Sequence, residues 1–191
     1  MEFLLIFGPP AVGKMSVGNA IESATGIPLF HNHIAIEPAL RFFPFGSPAF
    51  GRIVSGLRMK IFKEVAASDL PGLCFTFVWD LDDPSDTEFV ATVCKVFEDV
   101  GARITLVELQ ADLEQRLIRN RTEERLAEKP SKRNIERSEA NLLSLEGKHR
   151  MNSDDSLPVS YRHLKIENSQ LEAVEVADMV IEALGLRRVD E

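Results

Sequence analysis

The chain has 191 residues, of which 45% are hydrophobic and 27% are charged, and 22 Lys and Arg against 30 Asp and Glu give a net charge of −8. This length and composition predict one globular domain with a single core, and they exclude a disordered or collagen-like chain. The acidic balance argues against a general nucleic-acid-binding protein, because affinity for a phosphate backbone comes from clustered Lys and Arg.

The beginning of the chain predicts a strand, a loop, a helix and a second strand. Residues 3–7 form a continuous apolar run, which is typical of a strand buried on both faces of a parallel sheet. After a Gly- and Pro-rich loop, the apolar spacing over residues 15–25 predicts a helix that ends at Gly26. Residues 27–30 then predict a second, short strand.

The middle of the chain continues this alternation. Residues 34–68 have helical spacing interrupted by Phe-Pro-Phe-Gly-Ser-Pro, which predicts two helices joined by a turn. Residues 73–79 are rich in aromatic and branched side chains and predict a third strand, closed by Asp80. A helix over residues 89–100 and a fourth strand over residues 104–109 follow.

The last part of the chain begins with a charged segment, residues 113–149, for which we predict mostly helix. A short strand over residues 164–167 and a helix over residues 171–184, capped by Asn168 or Ser169, complete the pattern. Five strands that alternate with helices predict an α/β fold, with a parallel sheet covered on both faces.

Two features bear on where the protein resides. Cys74 and Cys94 lie in apolar segments, which favours buried reduced thiols over a disulfide framework. The first seven residues lack the basic leader of a signal peptide, and no window approaches the roughly 20 apolar residues of a membrane span. These features predict a cytoplasmic protein without membrane attachment.

The most informative segment joins the first predicted strand to the first predicted helix and reads Gly8-Pro9-Pro10-Ala11-Val12-Gly13-Lys14-Met15-Ser16. We call it the phosphate loop. Its glycines let successive backbone N–H groups point inward, the helix N-terminus adds its positive end, and Lys14 supplies a cation. This arrangement predicts a cradle for a polyphosphate. Its hydroxyl, the candidate ligand for Mg²⁺, comes one place later than in the simple pattern, at Ser16.

The phosphate loop resembles Gly-Pro-Pro-Gly-x-Gly-Lys-Gly-Thr of adenylate kinases and the related loops of shikimate kinase and chloramphenicol phosphotransferase. Ala11 and Met15 replace two of the adenylate-kinase glycines, so the resemblance is to the wider superfamily of P-loop kinases. It implies a three-layer P-loop fold with five parallel strands in the order 2-3-1-4-5. By this resemblance, the loop residues that bind ATP are Gly8, Ala11, Val12, Gly13, Lys14, Met15 and Ser16.

The resemblance extends over most of the chain in the order of its elements. Such kinases carry a helical acceptor-binding insertion after the second strand, and residues 34–68 occupy that place. A basic lid follows the fourth strand, and residues 116–137 hold eight basic and four acidic residues there. A phosphoryl-transfer site needs such cations to neutralise the charge that develops on the γ-phosphate. The alternative for this segment is a solvated helix with i,i+4 charge pairs.

The same resemblance assigns roles to individual residues of the lid. It places Arg116 where such kinases pack an arginine on the adenine. The candidates to close over the transferring phosphate are Arg119, Arg121, Arg125 and Arg133. From these residues and their neighbours we predict Arg121 as catalytic, Arg119 as nucleotide-binding and Arg137 as acceptor-binding.

Asp80 ends an apolar strand of the predicted parallel sheet. In a P-loop sheet this arrangement brings a carboxylate beside the phosphate loop, where it holds Mg²⁺ or its waters. We therefore predict that Asp80 and Ser16 bind Mg²⁺ and that Asp80 is catalytic. The alternative for Asp80 is a simple strand-end cap. Leu81 stands where mechanical ATPases carry a water-activating Glu, which favours transfer to an acceptor over hydrolysis.

Three further side chains are candidates on the acceptor side. His31 and His33 follow the second predicted strand, where shikimate kinase and its relatives carry an aspartate that contacts the acceptor hydroxyl. A neutral imidazole can act as a general base near pH 7 or bind the acceptor. We predict His31 as catalytic and His33 as substrate-binding; the alternative is that both bond only to local backbone. Arg58 fits the place of the substrate arginine of shikimate kinase.

Together these features predict an ATP-dependent kinase that uses Mg²⁺ and transfers the γ-phosphate of ATP to a small-molecule acceptor. The alternative is a nucleotide-binding module or regulatory NTPase without such an acceptor. A GTPase switch is disfavoured because the sequence has no Asn-Lys-x-Asp motif, and a nucleic-acid kinase is disfavoured by the acidic body of the chain. The sequence identifies neither the acceptor nor the oligomeric state.

Overall fold

A computed structural model describes residues 1–154 and 156–189, without the side chains of residues 124 and 125. Its strands are β1 (Glu2–Phe7), β2 (Leu29–Phe30), β3 (Gly72–Phe77), β4 (Arg103–Gln110) and β5 (Arg162–Glu167). Its helices are α1 (Lys14–Thr25), α2 (His33–Leu40), α3 (Pro48–Ala66), α4 (Pro84–Glu98), α5 (Leu113–Asn120), α6 (Glu123–Glu128), α7 (Ile135–Glu146) and α8 (Ala173–Leu184). A short 3₁₀ helix, Pro130–Lys132, lies between α6 and α7. None of the helices in the described ranges is long and apolar enough to cross a membrane.

The strands form one parallel sheet in the order β2-β3-β1-β4-β5, as predicted. The central strand β1 is flanked on both sides, with Leu5 opposite Phe75 of β3 and Leu106 of β4. A strand with neighbours on both edges and helices on both faces is buried on both sides and therefore favours apolar side chains, which explains the continuous apolar run of residues 3–7.

Side chains of β1 alternate between two cores because successive residues of a strand point to opposite faces. One core contains Phe3 and Leu5 with α3 and α4, and there the Phe3 and Phe97 rings stack with centroids 4.1 Å apart. The other contains Leu4 and Ile6 with α1 and α8. The result is the predicted three-layer arrangement of helices, sheet and helices. Cys74 and Cys94 are buried and free, as expected.

Two helices, α4 and α8, begin two or more residues away from their predicted starts. Helix α4 begins at Pro84, five residues earlier than its apolar spacing indicates, because the Asp83 carboxylate accepts a hydrogen bond from Ser85 N at 2.8 Å. The predicted caps of α8 were wrong. Its N-cap is Glu172, which forms a reciprocal capping box with Glu175. Asn168 and Ser169, the predicted caps, are buried instead at the end of β5.

The segment after β2 forms two helices, as its interrupted spacing predicts. The turn between them ends at Ser47, whose hydroxyl accepts a hydrogen bond from Phe50 N, and Pro48 occupies the first helical position. Residues 113–149 are mostly helical, also as predicted, and α5 and α7 pack against each other. Both segments border the same end of the sheet, the end at which the parallel strands terminate.

Candidate active site

A cavity of about 1400 Å³ opens at the carboxyl ends of the strands. Parallel α/β sheets bind ligands at this end, because the loops that leave the strands converge there. The cavity is lined by the phosphate loop, the start of α2, the segment after β3, the lid and the segment after β5. The first four of these segments are the ones to which we assigned roles from the sequence, and they therefore line the same cavity.

The phosphate loop turns through three residues with positive φ. Gly8 (φ 135°) and Gly13 (φ 106°) adopt backbone conformations that side chains rarely allow. A Cβ atom on Gly8 would lie 2.3 Å from the carbonyl oxygen of Leu109, so only glycine fits against β4. Ala11 (φ 62°) takes a left-handed conformation despite its side chain, which costs about 1 kcal/mol. The phosphate loop thus keeps its curled backbone although Ala11 is strained.

Lys14 closes the phosphate loop. Its ammonium Nζ donates hydrogen bonds to the carbonyl oxygens of Gly8, at 2.6 Å, and Pro9, at 2.8 Å. This contact holds the cation inside the loop, next to the N-terminus of α1. Met15 and Ser16 follow in the first turn of that helix and also line the cavity. The positive helix end and a lysine therefore point at one place, which suits a phosphate group.

Arg119 ties the loop to the segment after β5. Its guanidinium donates to the carbonyl oxygens of Asn168, at 2.7 Å, and Val12, at 3.3 Å. The Asn168 side chain, only 2% exposed, donates to the same Val12 oxygen at 2.9 Å. Sequence reasoning missed this role of Asn168 because an Asn after a strand also fits a helix cap. Arg119 and Asn168 both line the cavity, where Arg119 was predicted to bind the nucleotide.

Two arginines of the predicted lid do not reach the cavity. Arg116, expected on the adenine, is 2% exposed and forms an ion pair with Glu146 of α7, with NH2 2.7 Å from Oε1. Arg121, expected to be catalytic, makes two hydrogen bonds to the Glu139 carboxylate, at 2.5 and 3.1 Å. The first pair joins α5 to α7, the second joins the residue directly after α5 to α7, and neither arginine lines the cavity. The structure thus places them in helix packing, because their acidic partners lie on the facing helix.

Other basic residues of the lid do line the cavity, namely Lys129, Lys132 and Arg137. Arg137 is exposed, and its guanidinium pairs with no side chain of the described residues. Arg133 donates to the carbonyl oxygen of Leu126 and does not line the cavity. The side chain of Arg125, also a candidate, lies outside the part of the chain that the structure describes. Arg137 is therefore available to a ligand.

Asp80 lies on the cavity and is held from two directions. Its Oδ2 accepts a hydrogen bond from Nδ1 of His149 at 2.6 Å, and its Oδ1 accepts one from Asp82 N at 3.1 Å. Burial would raise the pKa of Asp80, but the hydrogen bond from His149 and that from Asp82 outweigh it, so the pKa lies below its ordinary value. No sequence signal indicated His149, which is 69 residues away along the chain.

Asp80 and Ser16 fit Mg²⁺ only together with a phosphate ligand. Both line the cavity. Among the described residues, no group of three or more His, Cys, Asp and Glu side chains could hold a metal ion by itself. Mg²⁺ commonly takes one or two protein ligands and completes its shell with phosphate oxygens and water. This donor set therefore suits a metal that arrives with a nucleotide.

The two histidines after β2 differ in position. His31 does not line the cavity; its Nε2 lies 3.8 Å from Oε2 of Glu128, and burial lowers its pKa. His33 does line the cavity, and its Nδ1 lies 2.8 Å from Oε1 of Glu37. Burial lowers the pKa of His33 to about 4. His33 is thus a neutral imidazole at the cavity, which His149 also lines, whereas His31, the predicted catalytic residue, lies outside it.

Arg58 provides a partly buried cation where α3 borders the cavity. It donates to Oδ1 of Asn32, and its guanidinium carbon lies 5.6 Å from the centroid of the Phe89 ring. Burial lowers the pKa of Arg58 to about 10, which still leaves it charged. Its Nε is buried and has no hydrogen-bond partner among the described residues. Asp86 lines the cavity with it, and burial raises the pKa of that carboxyl group.

No protein-family model matches the chain, and no curated protein matches its sequence. Solved structures do match it. A protein from Chloroflexus aurantiacus described as a candidate kinase shares 16% identity, with 96% of each chain covered and a TM-score of 0.63. The tunicamycin resistance protein of Deinococcus radiodurans shares 17%, with 98% of each chain covered and a TM-score of 0.57.

An APS kinase from Mycobacterium tuberculosis, solved in complex with AMPPNP and APS, shares 17% identity with the chain. The match covers 96% of this chain and 97% of that one, with a TM-score of 0.55. At such identities the likeness establishes the fold and no more. The chain has the fold of the P-loop kinases, as the phosphate loop predicts.

Proposed function

We propose that the protein is a kinase that transfers the γ-phosphate of ATP to a hydroxyl group of a small molecule. One observation carries this proposal: a single cavity is lined both by the phosphate loop with Lys14 and by His33 and Arg58 of the segment after β2. A protein that only binds a nucleotide has no need of this second set of polar side chains. The fold that the chain shares with P-loop kinases supports the same conclusion.

ATP binds along the phosphate loop. The loop N–H groups and Lys14 hold the β- and γ-phosphates, while Arg119 and the segment after β5 lie at the nucleoside end. Asp80 and Ser16 would hold Mg²⁺, which neutralises charge on the phosphates when it is bound. Arg137 supplies the lid cation, because its guanidinium lines the cavity and pairs with none of the described side chains.

His33 acts as the general base. Nδ1–H of its neutral ring donates to the Glu37 carboxylate, so Nε2 keeps its lone pair. The acceptor oxygen forms a new bond to the γ-phosphorus, and the bond from that phosphorus to the bridging oxygen breaks. ADP leaves with the bridging oxygen, and the hydroxyl proton passes to Nε2 of His33. This role replaces the one predicted for His31.

The test is ADP formation by the purified protein with ATP and Mg²⁺, alone and with sugars, organic acids, alcohols and nucleosides. We expect slow turnover alone and a rise with at least one acceptor. Lys14→Ala should abolish the rise, whereas Lys60→Ala, on the exposed face of α3, should retain it. A flat response across the panel would instead support a nucleotide-binding module, and full activity of Lys14→Ala would refute the proposal.

A further inference from the structure

The cavity has an unequal distribution of polar and apolar side chains. On the side formed by α2, the turn after it and α3, apolar residues dominate. We call this surface the apolar wall; its residues are Ile36, Leu40, Phe43, Phe45, Phe50 and Val54. The other sides carry the phosphate loop, the acidic segment after β3, the basic residues of the lid and a smaller apolar group formed by Leu142, Leu145 and Met151. The wall offers few hydrogen bonds to a ligand, and it lies on the same segment as His33 and Arg58.

The apolar wall runs from the core out to solvent. At its inner end Phe50 and Val54 are buried, and at its outer end Phe45 is 75% exposed. The Phe45 and Phe50 rings lie in contact, with centroids 5.1 Å apart. An aromatic ring of this exposure contributes little to the core, yet it extends the core surface along the cavity. Such a surface gains free energy only when an apolar group covers it.

Polar groups cluster at the inner end of the same cavity, where the strands terminate. Asn32 N donates to the Thr76 hydroxyl at 3.1 Å, and the Asn32 side chain accepts from Arg58. Asp86 lies beside them and accepts a hydrogen bond from Asp80 N at 2.9 Å. The unpaired Nε of Arg58 belongs to this cluster. A ligand that fits both regions has one polar end and one apolar end.

We infer that the acceptor is an amphipathic alcohol, with an apolar or aromatic body and its reactive hydroxyl at a polar end. The body lies along the apolar wall, and the polar end meets Arg58 and Asp86 near the γ-phosphate. This inference rests on the proposed kinase function and names the class of its substrate. A compact polyol or acid fits less well, because the wall would leave its outer polar groups without partners.

The test compares alcohols that share a polar part and differ in the body. The pairs are 2-phenylethanol with ethanol, phenyl β-D-glucoside with methyl β-D-glucoside, and thymidine with 2-deoxyribose. Phosphoryl transfer from ATP is measured for each, and binding is measured by calorimetry without nucleotide. We expect the aromatic member of at least one pair to exceed its partner about tenfold in kcat/KM and in affinity.

Two exposed phenylalanines of the same turn provide a matched comparison. Phe45→Ala removes part of the apolar wall, whereas Phe42→Ala removes a ring that is equally exposed, at 72%, but does not line the cavity. Phe45→Ala should weaken binding of the aromatic alcohol about fivefold and leave the KM for ATP unchanged. Phe42→Ala should change neither value.

The two proposals fail in different ways. Binding of an aromatic alcohol that depends on Phe45, without phosphoryl transfer to any compound, supports the inferred ligand class and counts against the kinase. Transfer to the polyol members that equals or exceeds transfer to the aromatic members supports the kinase and overturns the inferred acceptor. Equal effects of Phe45→Ala and Phe42→Ala, or no preference for an aromatic member in any pair, also overturn it.

Discussion

Nδ1 of His33 lies 2.8 Å from Oε1 of Glu37, one helical turn further along α2. The same carboxylate accepts a hydrogen bond from the Ser131 hydroxyl at 2.5 Å. Burial acts to raise the pKa of Glu37, but hydrogen bonds from Ser131 and His33 outweigh it and lower the pKa below its ordinary value. An ionised carboxylate can only accept, so the imidazole proton is on Nδ1. Glu37 thereby orients the His33 ring at the cavity and contacts Ser131 of the lid.

In Glu37→Gln, the His33 ring should no longer be held in the tautomer with its proton on Nδ1, because a neutral amide can donate as well as accept. In a long-range ¹H–¹⁵N spectrum at pH 7, the wild type should show Nδ1 protonated and Nε2 unprotonated, whereas the variant should show a mixture. Turnover should fall about tenfold with the KM for ATP unchanged. Glu64→Gln, which alters an exposed pair with Lys60, is the control. An unchanged tautomer in Glu37→Gln would contradict the assigned role.

The lowered pKa of His33 should make stability fall in acid. The folded protein binds this proton only near pH 4, whereas the unfolded chain binds it near pH 6.5. Between pH 6.5 and 4 the unfolded chain therefore binds one more proton than the folded protein does. The contribution of His33 to the free energy of unfolding is complete above pH 6.5, and it is lost as the pH falls towards 4, by at most about 1.4 kcal/mol per pH unit. Urea unfolding at several pH values should give a shallower acid decline for His33→Gln. Parallel curves for the two proteins would contradict the prediction.

Arg116 and Arg119 should respond differently to replacement by Met. Arg116→Met removes the ion pair with Glu146 and the hydrogen bond to the Ala111 carbonyl oxygen, and it should lower the free energy of unfolding by about 1 to 2 kcal/mol, with the KM for ATP unchanged. Arg119→Met removes a cation at the phosphate loop and should raise the KM for ATP about tenfold. Urea unfolding and steady-state kinetics separate the two effects. A raised KM for ATP in Arg116→Met would support the sequence-based prediction that Arg116 packs on the adenine.

Arg137 and Arg121 form a second contrast within the lid. Arg137→Ala should lower kcat about 100-fold, because it removes a cation that lines the cavity. Arg121→Ala should leave kcat within about twofold, since its guanidinium is occupied by Glu139. Both values are measured at saturating ATP with the best acceptor of the panel. If kcat fell much more in Arg121→Ala than in Arg137→Ala, Arg121 would be the catalytic arginine, as the sequence predicted.

Ala11→Gly should stabilise the protein by up to about 1 kcal/mol, because glycine adopts the positive φ of this position without strain. Ala20→Gly, in the interior of α1, should instead destabilise it by about 1 kcal/mol. Thermal unfolding of the two variants measures the difference. A loss of stability in Ala11→Gly as large as that in Ala20→Gly would show that Ala11 is not strained.

The sequence predicted the sheet and the phosphate loop because both depend on contiguous residues. An uninterrupted apolar run is enough to identify the central strand β1, since its side chains meet apolar layers on both faces. The loop between Gly8 and Ser16 takes its shape from local backbone preferences, and Lys14 bonds to carbonyls within the same loop. The alternation of strands and helices therefore predicted the α/β class, and the resemblance of the phosphate loop to those of P-loop kinases predicted the strand order.

Only the tertiary structure decided which charged and titratable side chains face the cavity. Arg116, Arg119 and Arg121 lie within six residues, yet only Arg119 reaches the phosphate loop. Its neighbours meet acidic groups of α7, and that contact depends on how two helices pack, not on their local periodicity. The partnership of Asp80 with a histidine 69 residues away likewise exists only after the chain has folded. Local patterns determined the phosphate loop, and long-range packing decided which side chains share a cavity with it.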